Sequence, residues 1–390
     1  MKQLTRALGL AACLFGTCAA QADTLRVGFV STLSGPASVA GLHMRDGFML
    51  GVNSRNGTVG GRPTVVIEID DKLNPEVARQ EVKDLLAKDK IDIVVGGTYP
   101  SIVRAIQQPV LSARMLMVAT GAGPAMFAGP GCNPNYFSVA PQSDQPHEAM
   151  GRHATQEGYR DVVVIAPKFV AGQAAVAAFK RHFNGNVVAE IYTELGKFDF
   201  SDELKQVGKL KPDAVYTFMP GGMGISLVRQ FTRFGMKYRI PFLSAETITE
   251  LTLPETMDSA IDLLSAAGWA PDLDNTANKV FVRSFLKSYG YMPSHYAAQG
   301  YDAARLLDAA YQMAGKGADQ LSIRTALEAA PFQSVRGDFK FNKNHFPIQD
   351  YYLARAVKAG SRYSTQVVQK LFDDVGDAYA GSCRMSSDNM

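Results

Sequence analysis

The sequence predicts an α/β protein built as two doubly wound parallel-sheet lobes. Three observations carry that expectation. Short β-rich runs alternate with helical segments from Leu25 to about residue 243, and such alternation means parallel sheet with helices on both faces. The alternation comes in two series, parted at Gln142-Ser143-Asp144. Finally, 390 residues exceed what a single core of ordinary size organises, so two bodies are expected.

The elements follow in order. Leu25-Arg26-Val27-Gly28-Phe29-Val30 reads as a strand, and residues 41–53 carry Leu42, Met44, Phe48, Leu50 and Val52 at imperfect helical spacing. Residues 64–69 form the second strand. Asn74-Pro75 opens a helix, with Asn as N-cap and Pro at the first helical position. Val77, Val82, Leu85 and Leu86 supply most of its apolar face. Residues 91–95 are the third strand, 100–112 the third helix and 115–119 the fourth strand. In the second series, strands are expected at 161–166, 187–192, 213–219 and 240–243, with helices at 173–183, 200–208 and 223–234. The final third departs from this rhythm. Helices at 275–289, 297–314 and 321–329 precede alternating β-structure from Gly337 to Phe372.

The N-terminus stands apart. Lys2 and Arg6 form a basic start, residues 7–19 are small and apolar, and Ala20-Gln21-Ala22 is an A-x-A cleavage site. Residues 1–22 therefore read as a secretory signal peptide. A rival reading takes Leu10-Ala11-Ala12-Cys13 as a lipoprotein box with a lipid anchor at Cys13. It leaves an apolar segment of about six residues, below the usual range, so soluble export is preferred. No other stretch approaches the ~18 consecutive apolar residues of a membrane span. Cleavage would leave about 368 residues and lower the formal charge from +3 to +1 by removing Lys2 and Arg6. A near-neutral balance gives no electrostatic case for nucleic acid or an anionic membrane.

Ligands of such sheets bind beyond the carboxyl ends of the strands. That rule selects four groups of residues: 33–40; 97–101 with 121–123; 167–172; and 220–222 with Glu246. Two groups come from each lobe, which implies a cleft between lobes. The run Gly96-Gly97-Thr98-Tyr99-Pro100-Ser101 places glycines at a strand end and a hydroxyl at a helix start, the makings of an anion site.

Catalysis finds little support. There is no G-x-x-x-x-G-K-[ST] and no G-x-G-x-x-G after the first strand, and Gly121-Ala122-Gly123 lacks a third glycine. There is no G-x-S-x-G elbow. Ser284-Phe285-Leu286-Lys287 and Ser387-Asp388-Asn389 match fragments of a serine-hydrolase signature without their K-T-G partner. His43, His147, His153, His182, His295 and His345 form no metal-binding spacing. Asp70-Asp71 are adjacent, so their side chains diverge, and capping is their expected role. The chain is read as a binding protein without cofactor or metal, not as an enzyme.

These residues resemble the periplasmic type I solute-binding proteins, the leucine/isoleucine/valine-type receptors of ABC importers. The likeness runs over roughly residues 25–384. It rests on Leu33-Ser34-Gly35-Pro36, Gly60-Gly61, Asp70-Asp71, Asp199-Phe200-Ser201 and Lys211-Pro212-Asp213-Ala214-Val215. Pro220-Gly221-Gly222-Met223-Gly224, Ala298-Gln299-Gly300-Tyr301-Asp302, Arg336-Gly337-Asp338-Phe339 and His345-Phe346-Pro347-Ile348-Gln349 resemble a branch that includes aromatic-acid receptors. The resemblance implies a type I fold joined by a multi-strand hinge. It divides the chain into lobe 1 (23–140 with 272–334) and lobe 2 (141–271 with 335–390). It implies a monomer, a membrane ABC permease as partner, and a small-molecule ligand in the cleft.

Family roles transfer where positions match. The ligand carboxylate would meet Thr98, Tyr99, Pro100 and Ser101, with a second backbone contact at Gly121, Ala122 and Gly123. Phe169, Ala171, Gly172, Pro220 and Gly221 would line the second lobe, Glu246 stands where an ammonium is held, and Tyr296 matches a side-chain-pocket aromatic. Two supporting tyrosines of amino-acid receptors are replaced by Ala40 and Ala171. A buried ammonium needs paired acceptors, so an aromatic or branched aliphatic carboxylate fits better than an α-amino acid, which is the alternative. An alternative of another class is a ligand-sensing ectodomain for a signalling partner. Export would leave Cys132 and Cys383 in an oxidising compartment, where two loop cysteines usually pair. The resembled branch carries a cysteine at both places, which implies a Cys132–Cys383 disulfide.

Overall fold

The computed structural model describes residues 24–329 and 332–385; the signal segment 1–22, with Cys13, and Ser387-Asp388-Asn389 lie outside them. The first sheet contains β1 (Leu25–Ser31), β2 (Thr58–Val59), β3 (Arg62–Asp70), β4 (Ile93–Gly96), β5 (Met117–Ala119) and β6 (Tyr136–Ser138). Its order is β2-β3-β1-β4-β5-β6, parallel throughout except for the β2-β3 hairpin. The second contains β7 (Asp161–Pro167), β8 (Asn186–Thr193), β9 (Ala214–Thr217), β10 (Phe242–Ala245), β11 (Leu264–Ala267), β12 (Lys340–Phe341) and β13 (Pro347–Ala359). Here the order is β12-β13-β11-β10-β9-β7-β8, with β14 (Arg362–Val375) paired to β13.

The two parallel cores have the same order, β3-β1-β4-β5-β6 and β8-β7-β9-β10-β11. In each, the order reverses beside the first strand, between β1 and β4 and between β7 and β9. A crevice opens at such a reversal. The short central strands are buried along their whole length, as strands covered by helices on both faces must be.

The helices that follow β1, β7 and β9 use one device at these reversals. Gly41, Gly172 and Gly224 lie in the first turns of helices Ser38–Asn53, Val170–His182 and Gly221–Arg233. A Cβ there would sit 2.0, 2.0 and 2.1 Å from the carbonyl oxygens of Thr32, Pro167 and Met219. Only glycine lets these helix starts close onto the strand ends.

Elsewhere the local chemistry is conventional. Asn74 caps helix Pro75–Lys88, its side-chain oxygen accepting from the N–H groups of Glu76 at 2.9 Å and Val77 at 3.3 Å. Asn74→Ala is expected to lower the unfolding free energy by about 1 kcal/mol. Urea denaturation checks this, and an unchanged midpoint would show that the cap contributes nothing.

The late helices belong with the first sheet. Ala303, Leu306, Leu307 and Ala310 of helix His295–Ala314 share one core with Phe29, Phe48 and Phe137. The second sheet has its own cores around Phe200, Leu227 and Phe231 on one face and Phe179, Tyr216 and Tyr351 on the other. The chain passes between sheets after β6, again at Trp269 after β11, and again between Phe346 and β13. After β14 the tail returns to the first sheet. Tyr379 packs beside the core that holds Phe127 and Tyr136, and Cys383 is bonded to Cys132, with Cα atoms 5.7 Å apart.

Candidate functional site

At the first reversal, the chain leaves β4 through Gly96 and Gly97, at φ +123° and +89°. The Gly97 N–H bonds the Val30 carbonyl at 2.8 Å, holding the turn against β1. Thr98 is fully buried. Its hydroxyl accepts from the Thr32 N–H at 3.1 Å and lies 3.0 Å from Ser31 Oγ, so this side chain ties the two loops together. Tyr99 is the N-cap residue of helix Pro100–Ser112, and its hydroxyl donates to the Ala37 carbonyl at 2.8 Å. Burial pushes its pKa up to about 12. Pro100 has no N–H to offer, and the N–H groups of Ile102 and Val103 both bond the Tyr99 carbonyl at 3.0 Å. Among the described residues, the exposed Ser101 therefore holds the free donors of this helix start, its hydroxyl and its N–H.

Gly121, Ala122 and Gly123 follow β5 alongside. The Gly121 N–H donates to Gly97 O at 3.2 Å, and a Cβ on Gly121 would lie 2.5 Å from Thr98 O. Ala122 is buried, and a Cβ on Gly123 would lie 2.2 Å from Pro141 O, on the first crossing between sheets. Two carboxylates steady the loop after β1. Asp70 accepts from the Leu33 N–H at 2.9 Å, and Asp71 from the Thr32 hydroxyl at 2.6 Å. Ala40 is buried within helix Ser38–Asn53.

The second reversal presents Phe169, the half-buried N-cap residue of helix Val170–His182, then half-buried Ala171 and buried Gly172. Pro220 holds the N-cap position of helix Gly221–Arg233, with Gly221 at φ +57° and open space where its Cβ would be. Glu246 directly follows β10. It adopts φ +59°, a left-handed conformation that costs a non-glycine residue of order 1–3 kcal/mol. It is half-buried, and among the described residues no group hydrogen-bonds or neutralises its carboxylate. Desolvation alone lifts its pKa to about 7.

Tyr296 links the two reversals. It stands in the first turn of helix His295–Ala314, packed against the first-lobe core. Its pKa lies well above the ordinary range, first because it is buried and then because it feels the charges of Glu246 and Tyr99. Tyr296 thus lies within electrostatic range of both Glu246 and Tyr99. The sequence reading gave no site role to Tyr216, which also lies in the field of Glu246. Its hydroxyl pairs with His147 Nδ1 at 2.7 Å. A tyrosine inside an otherwise apolar strand was the available signal, because a buried hydroxyl needs a partner. Among the described residues no three His, Cys, Asp or Glu side chains are grouped to hold a metal, and no helix is long and apolar enough to cross a membrane.

Known proteins share this architecture. A solute-binding protein of an ABC transporter from R. palustris, solved in complex with benzoate, superposes with a TM-score of 0.85 at 27% identity, covering 93% of this chain and all of that one. A leucine-binding protein from Thermotoga maritima shares the fold, with a TM-score of 0.78 at 20% identity over 89% of this chain and 98% of its own. The Leu/Ile/Val-binding protein homolog 6 of Brucella melitensis is 22% identical over 371 residues, 92% of this chain and 94% of that protein. The family's sequence profile matches residues 24–361. With one strand order repeated in two lobes and that profile spanning nearly all of both, the chain belongs to the periplasmic binding protein family.

Proposed function

We propose that this protein is the extracytoplasmic solute-binding component of an ABC importer and holds a small aromatic or branched aliphatic carboxylate between its lobes. The observation that carries the ligand class is the helix start at Ser101. An exposed hydroxyl and a free N–H lie there at a sheet reversal, where the helix dipole favours an anion. Tyr296 supplies an aromatic wall from the same lobe, and the R. palustris relative bound to benzoate adds support. Ala40 and Ala171 remove hydroxyls that an α-amino group would use. The competing reading, a branched-chain or aromatic amino acid, draws on the unpaired Glu246.

Residues 1–22 direct export to the periplasm, the receptor acts as a monomer, and the closed form docks on a membrane permease that takes the ligand unchanged. A thermal-shift screen of benzoates and branched aliphatic acids against amino acids separates the ligand classes. Ligand at 100 times its Kd stabilises by roughly 2.7 kcal/mol. If only amino acids raise the melting temperature, the carboxylate reading is wrong. Ser101→Ala is expected to weaken binding of the responding carboxylate by about 1–3 kcal/mol, the range of a hydrogen bond to a charged group. Calorimetric titration measures the loss, and unchanged affinity would move the anion site elsewhere.

A further inference from the structure

After its three crossings between the lobes, the chain makes a fourth passage with its tail. β14 ends at Val375 in the second sheet. Two residues on, buried Asp377 accepts from Asn344 Nδ2 at 2.9 Å, and the same Nδ2 donates to the Ala128 carbonyl of the first lobe at 2.7 Å. Asp377 also accepts from the Tyr379 N–H at 2.8 Å, and the Tyr379 ring packs against the core that holds Phe127 and Tyr136. Ser382 Oγ lies 2.9 Å from where a Cβ on Gly129 would be, and Cys383 is bonded to Cys132. Without that bond the tail is a free end. With it, the tail is a covalent connection from β14 in one lobe to Cys132 in the other.

Tyr379 also reaches back across the gap. Its ring sits on the first lobe, yet its hydroxyl donates to Asp144 Oδ2 at 2.6 Å. Asp144 is the N-cap residue of helix Gln145–Gln156, and the same oxygen takes Arg181 from helix Val170–His182. Arg181 Nε donates to Glu148 at 2.8 Å, and its guanidinium carbon lies 5.8 Å from the centre of the Tyr379 ring. The two helices pack as one body, because a Cβ on Gly151 would lie 2.1 Å from Phe179 O. Ala149, Met150, Val176 and Phe179 on them share a core with Tyr216 and Tyr351 of the second sheet. One half-buried side chain therefore packs on one lobe and hydrogen-bonds a carboxylate fixed in the other.

We infer that the tail is a fourth hinge element, a strap that holds the lobes at their present angle, with Tyr379 as its contact and the Cys132–Cys383 bond as its anchor. This rests on the receptor reading proposed above, in which the lobes open and close about a ligand. A hydrogen bond from a hydroxyl to a carboxylate is short and directional, so a change of lobe angle that moves Asp144 by about 1 Å breaks it. The bond favours one lobe angle over others, and it does so only while the ring stays seated on the first lobe. The disulfide secures that seat. Tyr379 is thus a positioning residue, acting through the lobe angle.

Spin labels on Lys83→Cys in helix Pro75–Lys88 and Lys209→Cys in helix Ser201–Leu210, both exposed, report the distance between lobes in the mature protein without ligand. Pulsed dipolar spectroscopy should give one main distance and a small displaced fraction. Tyr379→Phe keeps the ring and removes only the hydroxyl. It should raise the displaced fraction about tenfold, the worth of one hydrogen bond to a charged group. Cys132→Ser with Cys383→Ser should raise it likewise, and all three changes together should do no more than the larger effect alone, since each undoes the same tie. An unchanged distance distribution in Tyr379→Phe overturns the inference. A lower urea midpoint with the distances unmoved also overturns it, because that marks a purely structural contact. Effects that add on combination show that bond and hydroxyl act separately, and overturn the strap as a unit. No ligand enters the measurement, so the carboxylate reading stands or falls apart from it, in the thermal-shift screen.

Discussion

Asp302→Ala is expected to lower the unfolding free energy by about 3–5 kcal/mol, the range for stripping one partner from a buried ion pair. Asp302 is fully buried on helix His295–Ala314. Its carboxylate accepts from the Ser334 hydroxyl at 2.6 Å, the Val335 N–H at 3.0 Å and Arg336 Nε at 2.9 Å. Arg336 is just as enclosed. It also donates to Gln349 Oε1 at 2.7 Å, while its Nη2 has no hydrogen-bond partner among the described residues. Removing Asp302 would leave a guanidinium in the interior with one neutral acceptor.

The pair is not an energetic asset in itself. Burial raises the Asp302 pKa, although Arg336 and the hydrogen bonds pull it down. A folded-state pKa above the unfolded value means that this group's contribution declines as pH rises above the unfolded range. Replacing both residues, as Asp302→Leu with Arg336→Met, should therefore recover most of the stability lost in Asp302→Ala. What the double variant should lose is positioning. Gln349 starts β13 on the far side of a crossing, and a Cβ on Gly268 would meet its Nε2 at 2.2 Å, so the network joins two of the connections between lobes. Urea denaturation of both variants tests the claim. A loss below about 1 kcal/mol in Asp302→Ala would show that the cluster is not dry.

This cluster shows how far the sequence could be read. The motifs around Asp302, Arg336 and Gln349 stood out by resemblance to a branch of receptors, but nothing in their spacing said that they meet. They lie tens of residues apart and come together only because the chain crosses between lobes. The alternating elements were legible because parallel strands, covered on both faces, are apolar throughout; residues 100–112 match the observed helix at both ends. Three short strands were not. β6 has three residues, β11 reads Leu-Ser-Ala-Ala without a β-branched side chain, and β2 is a two-residue hairpin arm.

Helix Gln145–Gln156 was hidden for a different reason. Its buried face includes Gln145, His147, Glu148 and His153, which no hydrophobic pattern reveals. Most of those polar groups are satisfied by distant partners, although the buried His153 Nε2 has none among the described residues. Glu148 and the preceding Asp144 take Arg181, and His147 takes Tyr216. At the candidate site, the strand-end rule selected loops at both sheet reversals, yet it could not separate roles within them. Thr98 and Gly172 sit in those loops and serve backbone packing, since one is spent on Ser31 and Thr32 and the other admits Pro167 O.

Breaking the Cys132–Cys383 bond is expected to cost up to about 5 kcal/mol, in line with losses of ~2–5 kcal/mol for native disulfides. The two cysteines are 251 residues apart, so the bond closes the chain from the loop before β6 to the C-terminal tail into one loop. On the chain-entropy argument, closing a loop of that size stabilises chiefly by restricting the unfolded state. The folded tail has further ties. Tyr379 donates to Asp144 at 2.6 Å, and Asp144 also pairs with Arg181. Asp377 and the Ala128 carbonyl both accept from Asn344 Nδ2, at 2.9 and 2.7 Å. The tail therefore reaches both lobes beside the crossings, and the disulfide fastens its end to the first. A Cys132→Ser/Cys383→Ser protein should stay folded at moderate temperature, unfold at lower urea, and show faster amide exchange from about residue 376 onward. Two free thiols per chain in unfolded, unreduced mature protein would refute the bond. Equal urea midpoints for oxidised and reduced protein would show instead that the noncovalent ties hold the tail without it.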